Sequence, residues 1–131
     1  MTASIVAATF IASEGEYLEA IIEVDGQCLH VMDEFGGGQM PAGAQVQLQL
    51  WPMPSAMNDW DAIFRANPGQ EQGLRPLDGW RYLALGVVTQ VDPVICDCGL
   101  VQLENPFTTH DARCVGAYVG VILARLDASL A

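Results

Sequence analysis

The chain has 131 residues, which is enough for one compact domain with a core but too few for two ordinary domains. Because 51% of the residues are apolar and only 16% are charged, the composition excludes a disordered chain and predicts one folded soluble domain over residues 1–131. Sixteen acidic residues against five arginines, with no lysine, give a formal net charge of -11. This balance argues against binding to nucleic acid or to anionic membrane surfaces.

The sequence contains no segment suited to cross a bilayer as a helix. The longest apolar candidate, residues 115–126, is interrupted by Gly116, Gly120 and Arg125, and it is shorter than the roughly 18 to 20 residues that a span requires. The apolar stretch near the N-terminus has no basic residue before it, so it lacks the charged start of a secretory signal. We therefore expect a cytoplasmic protein that does not associate with membranes.

Strands are predicted for the start of the chain. Residues 3–12 are rich in β-branched and small side chains and indicate a first strand. Residues 18–24 alternate apolar and acidic side chains, and Asp25-Gly26 is typical of a two-residue hairpin turn. This turn pairs Val24 with Gln27 and continues the apolar face across both strands. The second strand of the hairpin then turns three side chains outward: Cys28, His30 and Met32.

The middle of the chain changes from strand to helix. The three glycines at 36–38 lack the Lys and Ser or Thr of a phosphate-binding loop and form a connection. Residues 44–51 alternate apolar residues with glutamines and predict a further strand. Apolar residues then recur at three- and four-residue steps over 55–66, which predicts one short helix with Ser55 as its N-cap. Residues 69–79 are rich in glycine and predict a surface loop.

The last third of the chain returns to strand patterns. Residues 80–91 form one predicted strand, in which Gly86 marks a bend or bulge. Residues 94–103 form another, and a loop over 105–113 leads to a final long strand over 114–127. A helix over 117–130 is the competing prediction. Six to seven strands with one inserted helix predict an all-β, mainly antiparallel fold, a small barrel that is OB-like or similar.

Cysteines and histidines provide the candidates for metal binding and nucleophilic catalysis. A zinc site would combine Cys96, Cys98, His110 and Cys114, but Cys-x-Cys in a strand wraps no backbone around a metal. The expected role of these cysteines is that of small, semi-buried residues in a reducing compartment. Cys114 also lies four residues after His110, yet no family signature of a cysteine nucleophile surrounds the pair. We expect no catalytic residue, no bound metal and no cofactor.

Acidic side chains are the most distinctive candidates for a binding site. The first 64 residues carry nine acids and no base, whereas the remainder carries seven acids and all five arginines. Seven of these acids lie in or beside the predicted hairpin and form the candidate partner-binding surface: Glu14, Glu16, Glu19, Glu23, Asp25, Asp33 and Glu34. Exposed alternating acids do not resemble a catalytic pair held in a cleft. They favour solvation or contact with a basic partner.

Aromatic residues suggest an alternative site. Trp80, Tyr82 and Tyr118 would line a small-ligand pocket inside a barrel. Trp51, Trp60, Phe64 and Trp80 are instead expected to fill the core around the helix. The sequence thus predicts a non-enzymatic acidic binding protein, such as an immunity or antitoxin-like inhibitor of a basic protein. A small-ligand barrel and a structural homodimer are the alternatives, and the protein is expected to be a monomer or a homodimer.

Overall fold

A computed structural model describes residues 4–14 and 18–131 of the chain. Within these ranges it contains nine strands, one α-helix and two short 3-10 turns, at Gly37–Gln39 and Ala112–Cys114. The strands and the helix are β1 Ile5–Glu14, β2 Glu19–Val24, β3 Gln27–Glu34, β4 Gln45–Pro54, α1 Trp60–Arg65, β5 Gly73–Pro76, β6 Tyr82–Gln90, β7 Ile95–Asp97, β8 Gln102–Glu104 and β9 Tyr118–Leu130. None of the helices in the described ranges is long and apolar enough to span a membrane.

Five of the strands close into a ring in the order β1-β2-β3-β9-β4. All neighbouring pairs in the ring are antiparallel except β3 and β9, which run parallel. Five is also the number of strands in an OB-type barrel. From β9 the sheet continues through β6, β7 and β8, and β5 pairs with β6. The predicted fold class, a mainly antiparallel barrel-like fold with one short helix, is confirmed.

The hairpin of β2 and β3 forms in the predicted register. Val24 pairs with Gln27, and the pairing continues through Ile22 and Leu29, which are both fully buried. Asp25 and Gly26 form the two-residue turn between these strands.

 Both central residues of this turn thus lie in the left-handed region, Asp25 at φ 48° and Gly26 at φ 82°, which is the geometry of a type I′ hairpin. The hairpin therefore presents one apolar face to the core and one polar face to solvent.

The helix is shorter than predicted and begins at a different residue. Asp59, not Ser55, is the N-cap, and its carboxylate accepts a hydrogen bond from the backbone N–H three residues later. Ser55 instead donates its backbone N–H to the carbonyl of Ile122, at 2.9 Å. The side-chain amide of Asn58 bonds both backbone groups of Ile122, at 2.7 and 2.8 Å. Residues 55–58 are therefore held against β9, and α1 covers only Trp60–Arg65.

The strand count exceeds the predicted six to seven because two segments pair differently from expectation. The predicted loop over 69–79 contains β5, which pairs with β6. The predicted single strand over 94–103 is a hairpin of β7 and β8. Gly86 marks a close approach of two strands, because a Cβ there would lie 2.4 Å from the carbonyl oxygen of Asp97. The bulge in β6 lies further on, between Val88 and Gln90.

β9 joins the ring to the outer strands. Its first half pairs with β6, and its second half pairs with β4 and β3. The final segment is thus a strand, as predicted, and the competing helix over 117–130 is wrong. Repeated β-branched residues explain this outcome, since they suit a strand buried on both faces. Val119, Val121 and Leu123 of β9 are all fully buried.

The seam between β3 and β9 is closed partly by a side chain. Only three residue pairs join these strands, from Met32 with Asp127 to Glu34 with Ser129. Nearer the hairpin turn, the Tyr82 hydroxyl donates to the carbonyl of His30 at 3.0 Å and accepts from its N–H at 2.7 Å. Tyr82 therefore takes the place of a strand neighbour for β3.

Candidate functional site

The outer surface of β1, β2 and β3 carries most of the predicted partner-binding acids. Cross-strand neighbours share a face, so Glu14 of β1 lies beside Glu19 of β2, and Glu23 lies beside Cys28 of β3. We call this surface the acidic face and define it by five carboxylates. They are Glu14, Glu19, Glu23, Asp25 and Glu34, of which Glu19 is half-buried and the others are exposed.

One of the seven predicted acids, Asp33, is not part of the acidic face, and another, Glu16, lies outside the described residues. The carboxylate of Asp33 accepts hydrogen bonds from the backbone N–H groups of Phe35 and Gly37, both at 2.9 Å. Asp33 is half-buried and holds the chain as it leaves β3, so its contacts are internal to the fold. Asp side chains often cap turns in this way. A count of charges cannot distinguish such an Asp from one that faces solvent.

Four of the five arginines form ion pairs with acids close to them in sequence. Arg75 contacts Glu71, Arg81 contacts Asp78, Arg113 contacts Asp111 and Arg125 contacts Asp127. The Arg113 guanidinium also holds the pKa of Asp111 at about 2, below its ordinary value, through side-chain hydrogen bonds. These local pairs offset four of the seven acids in residues 65–131, where seven acids and five arginines leave a net charge of only -2. The negative charge of the first half has no such compensation from arginine among the described ion pairs.

A compact group of three side chains lies at one end of the acidic face. The Nδ1 atom of His30 lies 2.5 Å from a carboxylate oxygen of Glu19. Glu14, Glu19 and His30 each bring a ligand atom to within 4.8 Å of the others, and no other group of three such residues was found among the described residues. The three side chains come from three adjacent strands. The predicted hairpin register already turns His30 outward, but its contact with Glu19 depends on side-chain positions that the local pattern does not specify.

The four side chains of the candidate zinc site lie in three separate environments. Cys96 and Cys98 are fully buried with their sulfur atoms 3.9 Å apart, while His110 is exposed and contacts Asp92. Cys114 is buried elsewhere, beside the aromatic side chains of α1. The hydrogen bond that the Cys98 thiol donates to Cys96, together with burial, raises the pKa of Cys98 far above its ordinary range.

The structure also separates the two side chains of the candidate Cys-His pair, Cys114 and His110. His110 directs its Nδ1 to Asp92 rather than to Cys114, and Cys114 is only 7% exposed. A cysteine nucleophile needs a base within hydrogen-bond reach, and the described hydrogen bonds include none between these two side chains. His110, Asp92 and Thr109 instead line a surface pocket of about 370 Å³.

The predicted aromatic pocket is also divided by the fold. Tyr82 pairs with Leu123, whereas Tyr118 pairs with Val87, five positions along β6 from Tyr82. An odd separation places two residues on opposite faces of a strand, so Tyr82 and Tyr118 do not face the same cavity. Burial raises the pKa of Tyr82, and its hydroxyl is used in the seam with β3. Trp80, just before β6, is half-buried.

The tryptophans do not fill the core as predicted. Trp51 is 40% exposed and Trp60 is 49% exposed. Trp60 packs against Phe64 at 4.8 Å between ring centroids and against Phe107 at 6.2 Å, beside a pocket of about 320 Å³. The helix covers only Trp60–Arg65, and Ile63 is its one buried residue. Phe64 and Phe107 contact the core, whereas Trp51 and Trp60 lie at its surface.

Comparison with known proteins adds no functional information for this chain. No protein-family model matches it, and neither the curated proteins nor the solved structures include a significant match.

Proposed function

We propose that this protein is a non-enzymatic binding protein whose acidic face engages a basic surface of a partner protein. The observation that carries the proposal is the segregation of charge in the fold. Exposed carboxylates collect on β1, β2 and β3, while four of the five arginines are paired with acids elsewhere. A surface of one sign attracts a partner of the other sign and accelerates its association.

The position of the acidic face supports a protein partner over a nucleic acid. In OB-type barrels the face of the second and third strands is a common binding surface for oligonucleotides and oligosaccharides. Here the corresponding strands, β2 and β3, carry Glu19, Glu23 and Glu34. Carboxylates repel a phosphate backbone, which binds through clustered Lys and Arg. The same carboxylates form charge-assisted hydrogen bonds with Arg and Lys of a protein.

The specific role that we propose is that of an immunity or antitoxin-like inhibitor acting in the cytoplasm. An acidic protein that covers the basic active surface of a toxin or nuclease gains both rapid association and discrimination against acidic competitors. The four free cysteines are compatible with a reducing compartment. In this role the protein needs a rigid charged surface and no chemistry of its own.

The experiment that tests the proposal compares two triple variants with the same net charge. The first, Glu23→Gln with Asp25→Asn and Glu34→Gln, removes three charges from the acidic face. Tagged wild-type protein and the variant are used to capture partners from the native lysate at low salt, and the association rate of the captured partner is then measured. We expect a stoichiometric basic protein that is released at high salt and that associates roughly tenfold more slowly with the variant.

The control removes three charges from the rest of the surface: Asp61→Asn, Glu71→Gln and Glu104→Gln. Because long-range attraction depends on where the charge lies as well as on its total, this variant is expected to keep a rate close to that of the wild type. Equal association rates for both variants would contradict the proposal that the acidic face is the partner-binding surface. Capture of no basic protein, with a mass of one or two copies of the chain, would favour the homodimer or small-ligand alternatives.

A further inference from the structure

We propose that Glu14, Glu19 and His30 form a binding site for a divalent transition-metal ion of the zinc type. The inference goes beyond the proposed function, because it requires no protein partner. It depends on a mixed donor set of one imidazole nitrogen and two carboxylates, which is a combination that zinc accepts. The imidazole favours zinc, nickel or copper over magnesium and calcium, which prefer sites made of oxygen atoms alone.

The strands hold the three donors close to the spacing that a metal requires. Glu14 and Glu19 are direct cross-strand partners in β1 and β2. His30 in β3 is the partner of Ile21, and it therefore lies diagonally beside Glu19 on the same face. The ligand atoms all lie within 4.8 Å of one another. Zinc at about 2.0 to 2.2 Å from each ligand needs separations of about 3.3 Å, which small side-chain rotations supply.

The charges at this position give a physical reason for a cation. Carboxylates directly opposite each other on neighbouring strands repel and destabilise the pairing. Among the described residues, His30 contacts Glu19 through Nδ1 at 2.5 Å. A divalent ion between the three groups would remove the repulsion and replace that contact with two or more metal–ligand bonds. The surrounding backbone is paired on β1, β2 and β3, so little ordering is needed to bind the ion.

The chain supplies its own control for a binding experiment. It has two histidines, and each contacts one carboxylate through Nδ1: His30 contacts Glu19, and His110 contacts Asp92. Within residues 4–14 and 18–131, only His30 has a second carboxylate, that of Glu14, in the same group. A site that needs three protein ligands therefore forms at His30, whereas simple attraction of zinc to a histidine beside an acid would act at both.

The test is a zinc titration of metal-stripped protein, followed by NMR of the two imidazole rings, in a Cys28→Ser background. This background removes an exposed thiol on β3 that could bind zinc by itself. We expect the His30 ring signals to shift and to saturate at about one equivalent, with the His110 signals unchanged and with no response to magnesium. We expect Glu14→Gln or His30→Ala to weaken the affinity measured by calorimetry by about tenfold or more, and His110→Ala to leave it unchanged.

Other results would overturn the proposal. If both histidines shift together without saturation, or if magnesium competes equally, zinc is only attracted to an acidic surface. Unchanged affinity in folded Glu14→Gln and His30→Ala proteins would have the same meaning, and their melting temperatures would establish that they fold. Failure of the zinc site can be distinguished from failure of the proposed function. The partner experiment changes Glu23, Asp25 and Glu34, none of which belongs to the group of Glu14, Glu19 and His30.

Discussion

Replacing Tyr82 by Phe tests how the barrel is closed between β3 and β9. Tyr82 is 3% exposed, and its hydroxyl serves both the N–H and the carbonyl of His30. The substitution keeps the ring and removes one oxygen atom. Both backbone groups of His30 then lose their partner, because β9 pairs with β3 only from Met32 to Glu34 and does not reach His30. The consequence should be a loss of stability without a change of fold.

The magnitude follows from the two hydrogen bonds. Each contributes about 0.5 to 1.5 kcal/mol net, and an unsatisfied buried group costs about 1 to 3 kcal/mol. Since water reaches the exposed side of β3, we expect a total loss of about 2 kcal/mol. An unfolding entropy of about 2.1 cal/mol/K per residue, over 131 residues, converts this loss to a decrease in melting temperature of about 7 °C.

The assay is calorimetry together with urea unfolding followed by circular dichroism, with Tyr118→Phe as the matched control. Tyr118 is half-buried on the opposite face of the sheet, and the described hydrogen bonds include none from its hydroxyl. Its variant should stay within about 0.5 kcal/mol of the wild type. A Tyr82→Phe protein as stable as Tyr118→Phe would refute the claim that this hydroxyl closes the seam.

The same substitution predicts a dependence on alkaline pH. Burial raises the pKa of Tyr82 above its ordinary value of 10.0. Between the unfolded and the folded pKa, the folded protein keeps a proton that the unfolded chain has lost, so stability falls as pH rises above about 10. Tyr82→Phe lacks this titration. The stability difference between wild type and variant should therefore narrow above pH 10 in urea unfolding, and a constant difference would contradict the burial effect.

Three further predictions concern other parts of the molecule. Gly120→Ala should destabilise the protein by about 1 to 3 kcal/mol, because the new Cβ would lie 2.7 Å from the side chain of Ala66 at the end of α1. Gly38→Ala is the control, since a Cβ there meets nothing within 4 Å. Equal melting temperatures of the two variants would contradict the close packing at Gly120. Iodoacetamide should modify only Cys28 in the native protein and all four cysteines in denaturant, since the other three are buried; rapid native modification of a second thiol, seen by mass spectrometry, would contradict this. Carboxyl NMR should show Asp111 titrating at about 2, and Arg113→Ala should return its pKa toward 3.8; an unchanged pKa would exclude the guanidinium as the cause.

Local patterns were sufficient for the parts of the fold that depend on neighbours in sequence. The Asp25-Gly26 turn and the alternation around it fixed the register of β2 and β3, because a two-residue turn allows few pairings and a one-residue slip would bury the acids. The same reasoning failed at the helix. Ser55 is as good an N-cap as Asp59 in isolation, and Ile122, a residue 67 positions away from Ser55, decides between them.

The features of the candidate site also differ in whether local sequence or tertiary contacts determine them. The sequence by itself determined that the chain is acidic, that the charge is concentrated in the first half, and that Glu19, Glu23 and His30 lie outside the core, since composition and a period of two are local properties. Only the tertiary structure decided that Asp33 caps a turn, that Tyr82 and Tyr118 lie on opposite faces, and that Glu14, Glu19 and His30 meet. These features depend on strand pairing between segments distant in sequence, and the free energy of such pairing depends on contacts that no local pattern records.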